Sequence, residues 1–354
     1  MVKLSKFKAF LKRKNIEISF KRYGIDALGA MAQGLFCSLL IGTIIGTIGN
    51  LADIEFLTQI GGYTKDVSGV AMAVAIGYAL KADPMVLFSL ATVGYAANSL
   101  GGAGGPLAVL VIAIIAAECG KAVSKETKID ILVTPAVTIL VGVGLSALIA
   151  KPIGDAANAF GSLIKYATDL QPFLMGITVS VLVGIALTLP ISSAAICAAL
   201  GLTGLAGGAA VAGCCAQMVG FAVISFRENR WSGLVSQGLG TSMLQMPNIM
   251  KNPRIWIAPT LASAITGPIA TCVFHLEMNG VAVNSGMGTC GLCGPIGVIT
   301  GWYTPTVGEA ITPAAMDWIG LALICIVLPA VLSLLINLPL RKLGWVKDGD
   351  LKLA

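Results

Sequence analysis

The chain has 354 residues, of which 56% are hydrophobic and only 11% charged, against about 25% charged in an ordinary soluble domain. Mean hydropathy is +0.89, and the apolar residues fall in runs of roughly 14 to 24 with little polar sequence between them. A water-soluble globule is excluded, and no stretch has the mixed character of an appended soluble enzyme. The net charge of +6 then bears on topology before it bears on any ligand.

Eight basic residues, Lys3, Lys6, Lys8, Lys12, Arg13, Lys14, Lys21 and Arg22, precede position 23 and would hold the N-terminus in the cytoplasm. With Phe7, Phe10, Leu11, Ile16, Ile18 and Phe20 interspersed, residues 1–26 read as a basic amphipathic arm suited to anionic lipid headgroups. A nucleic-acid partner is not expected, since it would want aromatic interleaving on a folded basic face. Nor is this a cleavable signal: its charged region is too long, and the apolar run 27–49 is followed by further runs.

Further spans are predicted at 67–81, 84–99, 105–120, 129–150, 172–189, 191–212, 211–226, 255–275, 294–303 and 318–340. Several are too short to cross a hydrocarbon layer about 30 Å thick, which predicts half-helices and re-entrant hairpins. The expected fold is therefore an all-α polytopic membrane protein, with residues 27–340 as one transmembrane transporter domain that has room for two related halves. Basic clusters at Lys121, Lys125 and Lys128, at Arg227 and Arg230, at Lys251 and Arg254, and at Arg341, Lys342, Lys347 and Lys352 assign the tail 341–354 to the cytoplasm, like the N-terminus. An even number of crossings follows: ten, with eight as the fallback.

Glycine occurs 43 times, more than short loops can use, so much of it lies within helices and lets backbones approach. That packing role suits Gly42, Gly46, Gly49, Gly142 and Gly144. Three Gly-Pro units, Gly105-Pro106, Gly267-Pro268 and Gly294-Pro295, read as helix starts, where proline costs no hydrogen bond. At mid-membrane depth such a start offers free N–H groups to an anionic or hydroxyl-rich solute; at the interface it is an ordinary beginning. A short near-repeat, Gly238-Leu239-Gly240-Thr241-Ser242 and Gly286-Met287-Gly288-Thr289-Cys290, places a hydroxyl after a flexible turn twice.

Polar groups within apolar runs are costly and mark site candidates. The densest island is His275, Glu277, Asn279, Asn284, Gly288 and Thr289. In extended or re-entrant backbone, His275 and Glu277 can address one cavity; a solvated place at the span end is the competing reading. The amides Asn98, Gln217, Gln245 and Asn248 suit sugar hydroxyls or, equally, helix-to-helix hydrogen bonds. Glu118 and Lys121 read as a snorkelling pair, and Asp53, Glu55, Lys65 and Asp66 as an external loop. The nine cysteines read as small reduced packing residues. Cys290-Gly291-Leu292-Cys293 has zinc spacing, but His275 is the sole histidine and two further ligands are wanting. No metal, cofactor or catalytic grouping is expected.

From Gln245-Met246-Pro247-Asn248 through Asn252-Pro253-Arg254 to Gly267-Pro268, and on through His275-Leu276-Glu277-Met278-Asn279 and Gly286-Met287-Gly288-Thr289, the chain resembles the stand-alone enzyme IIC-like membrane proteins of the phosphotransferase system. That group includes the perfringolysin (toxin) regulators. The resemblance covers nearly the whole length and implies a transporter of a sugar or related polar or anionic solute in the bacterial cell membrane. It further implies about ten helices with re-entrant hairpins, a homodimer, and cytoplasmic phosphotransferase components as partners. It carries Glu277 over more firmly than His275. Phosphoryl-bearing Cys or His domains are absent from the chain, so self-contained enzymatic activity is not expected. Two functions stay open: a carrier alternating access around a midplane site, or a membrane sensor that regulates gene expression without transport.

Overall fold

The computed structural model describes residues 2–353, and the side chains of Lys3, Lys6 and Phe7 lie outside the described set. The described residues are mostly helical: α1 (Val2–Arg13), α2 (Lys21–Asn50), α3 (Glu55–Asp66), α4 (Ser68–Ala79), α5 (Pro84–Gly101), α6 (Gly105–Val123), α7 (Asp130–Thr168) and α8 (Pro172–Thr188). There follow α9 (Ser193–Leu200), α10 (Gly204–Ile224), α11 (Phe226–Val235), α12 (Met246–Lys251), α13 (Pro253–Val273), α14 (Cys293–Tyr303) and α15 (Ala315–Lys342). Six stretches among the described residues are long and apolar enough to cross a membrane: α2, the pair α5–α6, α7, α10, α13 and α15. The fold is all-α and polytopic.

The chain divides into two compact units. The first comprises Met1–Gly42 and Gly62–Ala156. Within it α5 and α6 form an antiparallel hairpin. Gly102 turns the chain at φ 51°, Gly105 lies against the Asn98 carbonyl, and Gly120 lies against Val86. Each helix rises about 27 Å, so the Gly105-Pro106 start falls at the far end of the hairpin from Asp83 and Lys125. Gly69 and Gly94 face each other so closely that a Cβ on either would come within 2.4 Å of the other's carbonyl oxygen, which explains their small size by packing.

The basic arm is tied to this unit's loops. Lys14 donates to the Ser124 carbonyl, and Lys14 and Arg13 both pair with Glu126. Arg22, already inside the first helical span, is buried and donates to the Leu80 carbonyl at 2.6 Å. The expected Glu118–Lys121 pair forms at 2.8 Å, but Lys121 is 3% exposed and reaches the Asn15 and Leu80 carbonyls instead of snorkelling to water. Lys125 donates to Asp83 at 2.7 Å and holds that carboxyl below the usual range.

The second unit comprises Thr43–Gly61 and Ala157–Ala354, and the almost wholly buried α10 is its axis. Neighbours can be placed by where they touch this rod, which rises about 30 Å. Helix α8 runs alongside in the same direction, with Ser180 against Gly213 and Gly184 against Gln217. Helix α13 runs the opposite way, with Pro259 against Gly220 and Ser263 donating to the Gly213 carbonyl. Helix α15 closes the other side, with Ser333 against Gly220 and Arg341 pairing with Glu228 just beyond the end of α10.

Two sequence expectations are corrected here. No span covers 191–212: Gly201, left-handed at φ 60°, ends the short α9, and Gly204 at φ 61° opens a separate continuous α10, so glycine breaks an apolar run that composition joined. Nor is Gly267-Pro268 a helix start. It lies at the end of the first segment of α13, which continues as a π-helical turn over Ile269–Val273. Gly267 packs against the Gly176 carbonyl, and Gly176 against Pro268, so close approach of α8 and α13 accounts for the pair. Gly105-Pro106 and Gly294-Pro295 do lie in the first turns of helices.

Candidate functional site

Two segments enter the second unit from opposite ends and stop inside it. The outer one, if the Gly204 end of α10 is taken as outer, begins at Met278, whose backbone exchanges two 3.0 Å hydrogen bonds with Gly204. It descends in short 3-10 turns past Ser285, which donates to the Leu202 carbonyl, to Gly288 against Cys214 and Thr289, whose hydroxyl donates to Met218 Sδ. Fourteen residues separate Gly204 from Met218, about 21 Å of helix. The chain turns over at Gly291 and Leu292, both at positive φ, and α14 climbs back, with Gly297 against Asn284 and Gly301 against Gly280.

The opposing segment leaves the other end of α10. Arg230 at φ 51° turns α11 inward; a π-helical stretch over Ser236–Gly240 ends at extended Thr241, and Met246–Lys251 returns. At the tip Ser242 and Thr188 share a 2.8 Å hydroxyl contact, and Thr188 donates to Gln217. The two tips, 236–240 and 290–292, pack on each other. The Gly238–Ser242 and Gly286–Cys290 near-repeat thus runs into the two opposed tips, and its Ser242 and Thr289 lie at the level of Gln217 and Met218. Thr241, Ser242, Thr289 and Cys290 are all buried, which satisfies the rule that irregular backbone at depth must be wrapped by protein.

Above the tips, at the Gly204 end, two clefts flank the strand-like Asn279–Gly280. One of about 280 Å³ is lined by His275, Glu277, Asn279, Trp302, Glu309 and Asp317, among others. Its neighbour of about 360 Å³ is lined by Thr47, Asn50, Asn284, Cys293, Thr300 and Thr306. After His275, left-handed at φ 45°, the side chains alternate: Leu276 and Met278 are buried in a core with Trp302, Leu321 and Ile324, while His275 and Glu277 turn outward to one cleft. Asn279 donates to Glu277 at 2.8 Å, and the Thr306 hydroxyl donates to the Gly280 carbonyl at 2.7 Å. Trp302 stacks edge-on against Trp318, centroids 4.9 Å apart, and walls the site. Both volumes sit near the lower end of the range for ligand pockets, about 300–1,000 Å³, which suits a small polar solute.

The sequence candidates therefore separate. His275, Glu277 and Asn279 share one cleft, and Asn284 lines the next. Thr289 and Gly288 lie buried at the tip below, outside both clefts. Gln217 is fully buried, accepting from Trp256 at 2.9 Å and donating to Thr260 at 3.2 Å; it joins helices. Asn98 belongs to the first unit and donates to Ser68. Asn248 lies at the opposite end from the clefts, donating to Gln245 and to the Lys352 carbonyl. There Asn229 and Gln245 both donate to the Leu351 carbonyl, and Asn252 to that of Trp345, so this amide block grips the tail.

Sequence reasoning missed Glu309, Asp317 and Trp302 in the first cleft and Thr47 and Asn50 in the second. The available signal was the polar loop Thr304-Pro305-Thr306-Val307-Gly308-Glu309 directly after a run too short to span. All nine cysteines are free thiols. Among the described residues no three His, Cys, Asp or Glu side chains group as metal ligands.

Comparison with curated proteins and with solved structures gives no match. The family described as phosphotransferase system, EIIC, matches residues 25–353, which includes both re-entrant segments and both clefts. The chain belongs to the phosphotransferase-system EIIC family, the membrane permease component of that system.

Proposed function

We propose that this permease carries a sugar or a closely related hydroxyl-rich solute by alternating access, with the Glu277 cleft as the entrance and the paired hairpin tips as the barrier. The carrying observation is the meeting of two buried, glycine-rich tips from opposite ends of one bundle beneath a polar cleft. Such discontinuous segments are where carriers place their solute path. Glu277, Asn279 and Glu309 supply acceptors and donors for hydroxyls, and Trp302 supplies an apolar wall for a sugar ring. The basic residues Arg227, Arg230, Arg341, Lys342 and Lys347 gather at the Ile224 end, which supports a reading with that end in the cytoplasm and the clefts on the outer face of a bacterial plasma membrane. Passage then requires the tips to part. A homodimer and cytoplasmic phosphoryl carriers complete the proposed assembly.

The test is uptake by the purified chain in liposomes, with labelled hexoses and hexitols outside and phosphoryl-carrier proteins within or omitted. Flux or exchange of one of them supports the carrier. Persistent solute binding without flux under every condition would overturn it in favour of a membrane sensor.

A further inference from the structure

We propose that the corner between α15, the start of α11 and the tail holds the headgroup of an anionic phospholipid. A cleft of about 510 Å³ opens there, lined by Arg227, Arg341, Lys342, Lys347 and Asp348, with Leu338 below. Two carboxylates reach the corner, and Arg341 takes both: Glu228 at 2.7 Å and Asp348 at 2.8 Å. Arg227, Lys342 and Lys347 are exposed and have no carboxylate within ion-pair distance among the described residues. Three uncompensated cations thus face one hollow, which is charge complementarity for a phosphodiester.

The floor identifies the kind of anion. Leu338 is 55% exposed and continues into Leu334, Val331 and Val327, each at least 44% exposed. Spaced by three and four residues, they form one stripe running about 16 Å down the helix from the cleft. A soluble phosphate has no use for that stripe; an acyl chain hanging from a phosphodiester in the cleft would lie along it. Basic pockets at the boundary of transmembrane helices, set above an apolar track, have the chemistry to hold such lipids. Phe226 and Trp231, in edge-on contact at 5.4 Å, mark the same boundary, the level favoured by amphipathic aromatic rings.

The experiment is native mass spectrometry and lipid-dependent thermal melting of the full chain in detergent, with phosphatidylglycerol, phosphatidylcholine or inorganic phosphate added. Retained phosphatidylglycerol adducts and a raised Tm with that lipid alone are expected. The variant Arg227→Gln/Lys342→Gln/Lys347→Gln should bind it about 100-fold more weakly, at roughly 1 kcal/mol per basic residue. Leu338 is 55% exposed, so Leu338→Asn, which adds no charge, tests the same cleft through its apolar floor and should also weaken the adducts. Equal retention of phosphatidylglycerol and phosphatidylcholine, or undiminished retention by both variants, would overturn the proposal. Stabilisation by inorganic phosphate equal to that by phosphatidylglycerol would replace the lipid by a soluble anion.

Discussion

Residues 274–284 and 286–292 are neighbours in the chain, both irregular in backbone and both carrying polar side chains, yet they end in opposite environments. The first lies at the Gly204 end of α10, where His275 and Glu277 are exposed. The second lies some 20 Å further along that rod, with Gly288 pressed on Cys214 and Thr289 on Met218. Depth, not residue type, separates a wet cleft from a dry barrier: near the end a carboxylate keeps its water, whereas at the tip only hydroxyls and bare backbone can be satisfied.

The sharpest test of that contrast is Gly288→Val. The residue is left-handed at φ 52°, and a Cβ there would lie 2.7 Å from both the backbone and the side chain of Cys214. Strain and overpacking add, so a loss of roughly 3 kcal/mol is expected, read as a large fall in Tm in detergent together with abolished flux. A Tm equal to that of the parent chain would show that the tip is loosely packed and the barrier assignment wrong.

Next in size is the opposing tip. Thr188→Val removes the hydroxyl that contacts Ser242 and donates to Gln217, leaving buried polar groups short of a partner at about 1–2 kcal/mol. Ser242→Ala leaves Thr188 its bond to the Gly184 carbonyl and should cost nearer 1 kcal/mol. If the order of the two melts is reversed, the Thr188 hydroxyl is not what ties the tip to α10.

How much of this was legible in the chain depends on the scale. Helical class and membrane residence follow from composition alone, and re-entrant segments follow from runs too short to span. The tips were visible as a five-residue near-repeat, but nothing local says that Gly238 and Gly286 come from opposite ends. That follows from α13 running opposite to α10 and so returning the chain to the Gly204 end before Met278, a tertiary fact. Gly267-Pro268 looked like Gly294-Pro295, and only the approach of Gly176 distinguishes a packed helix from a helix start. Gln245 and Asn248 suited sugar hydroxyls in the sequence because an amide that binds a hydroxyl and one that binds a backbone carbonyl are the same group. Their partner, the tail, lies about a hundred positions away.

Glu277→Gln tests the wet side of the comparison. The side chain is exposed, so stability should change by less than about 0.5 kcal/mol, and the amide oxygen can still accept from Asn279. What is lost is the negative charge, and solute affinity measured on the folded variant should fall at least about tenfold if that charge-assisted contact is used. Unchanged affinity would remove Glu277 from the site and leave Asn279 and Glu309 as the polar contacts.

The smallest effect extends the comparison to a surface ion pair, with Lys125 exposed and Asp83 half-buried. Asp83, outside the spans, is held below the usual carboxylate range chiefly by the hydrogen bond from Lys125, with a second from Ser124. A carboxyl with a lowered folded pKa contributes stability that is present above its unfolded value of about 4 and fades as pH falls through the folded one. Because Asp83 is only half-buried and its partner Lys125 is exposed, solvent screens the pair, and that contribution should be only a few tenths of a kcal/mol. Asp83→Asn should therefore leave the Tm near pH 7 almost unaltered and flatten its decline below about pH 4. A drop at neutral pH as large as that of Thr188→Val would mean that this loop is drier than its exposure implies, and that depth alone does not rank the polar groups of this chain.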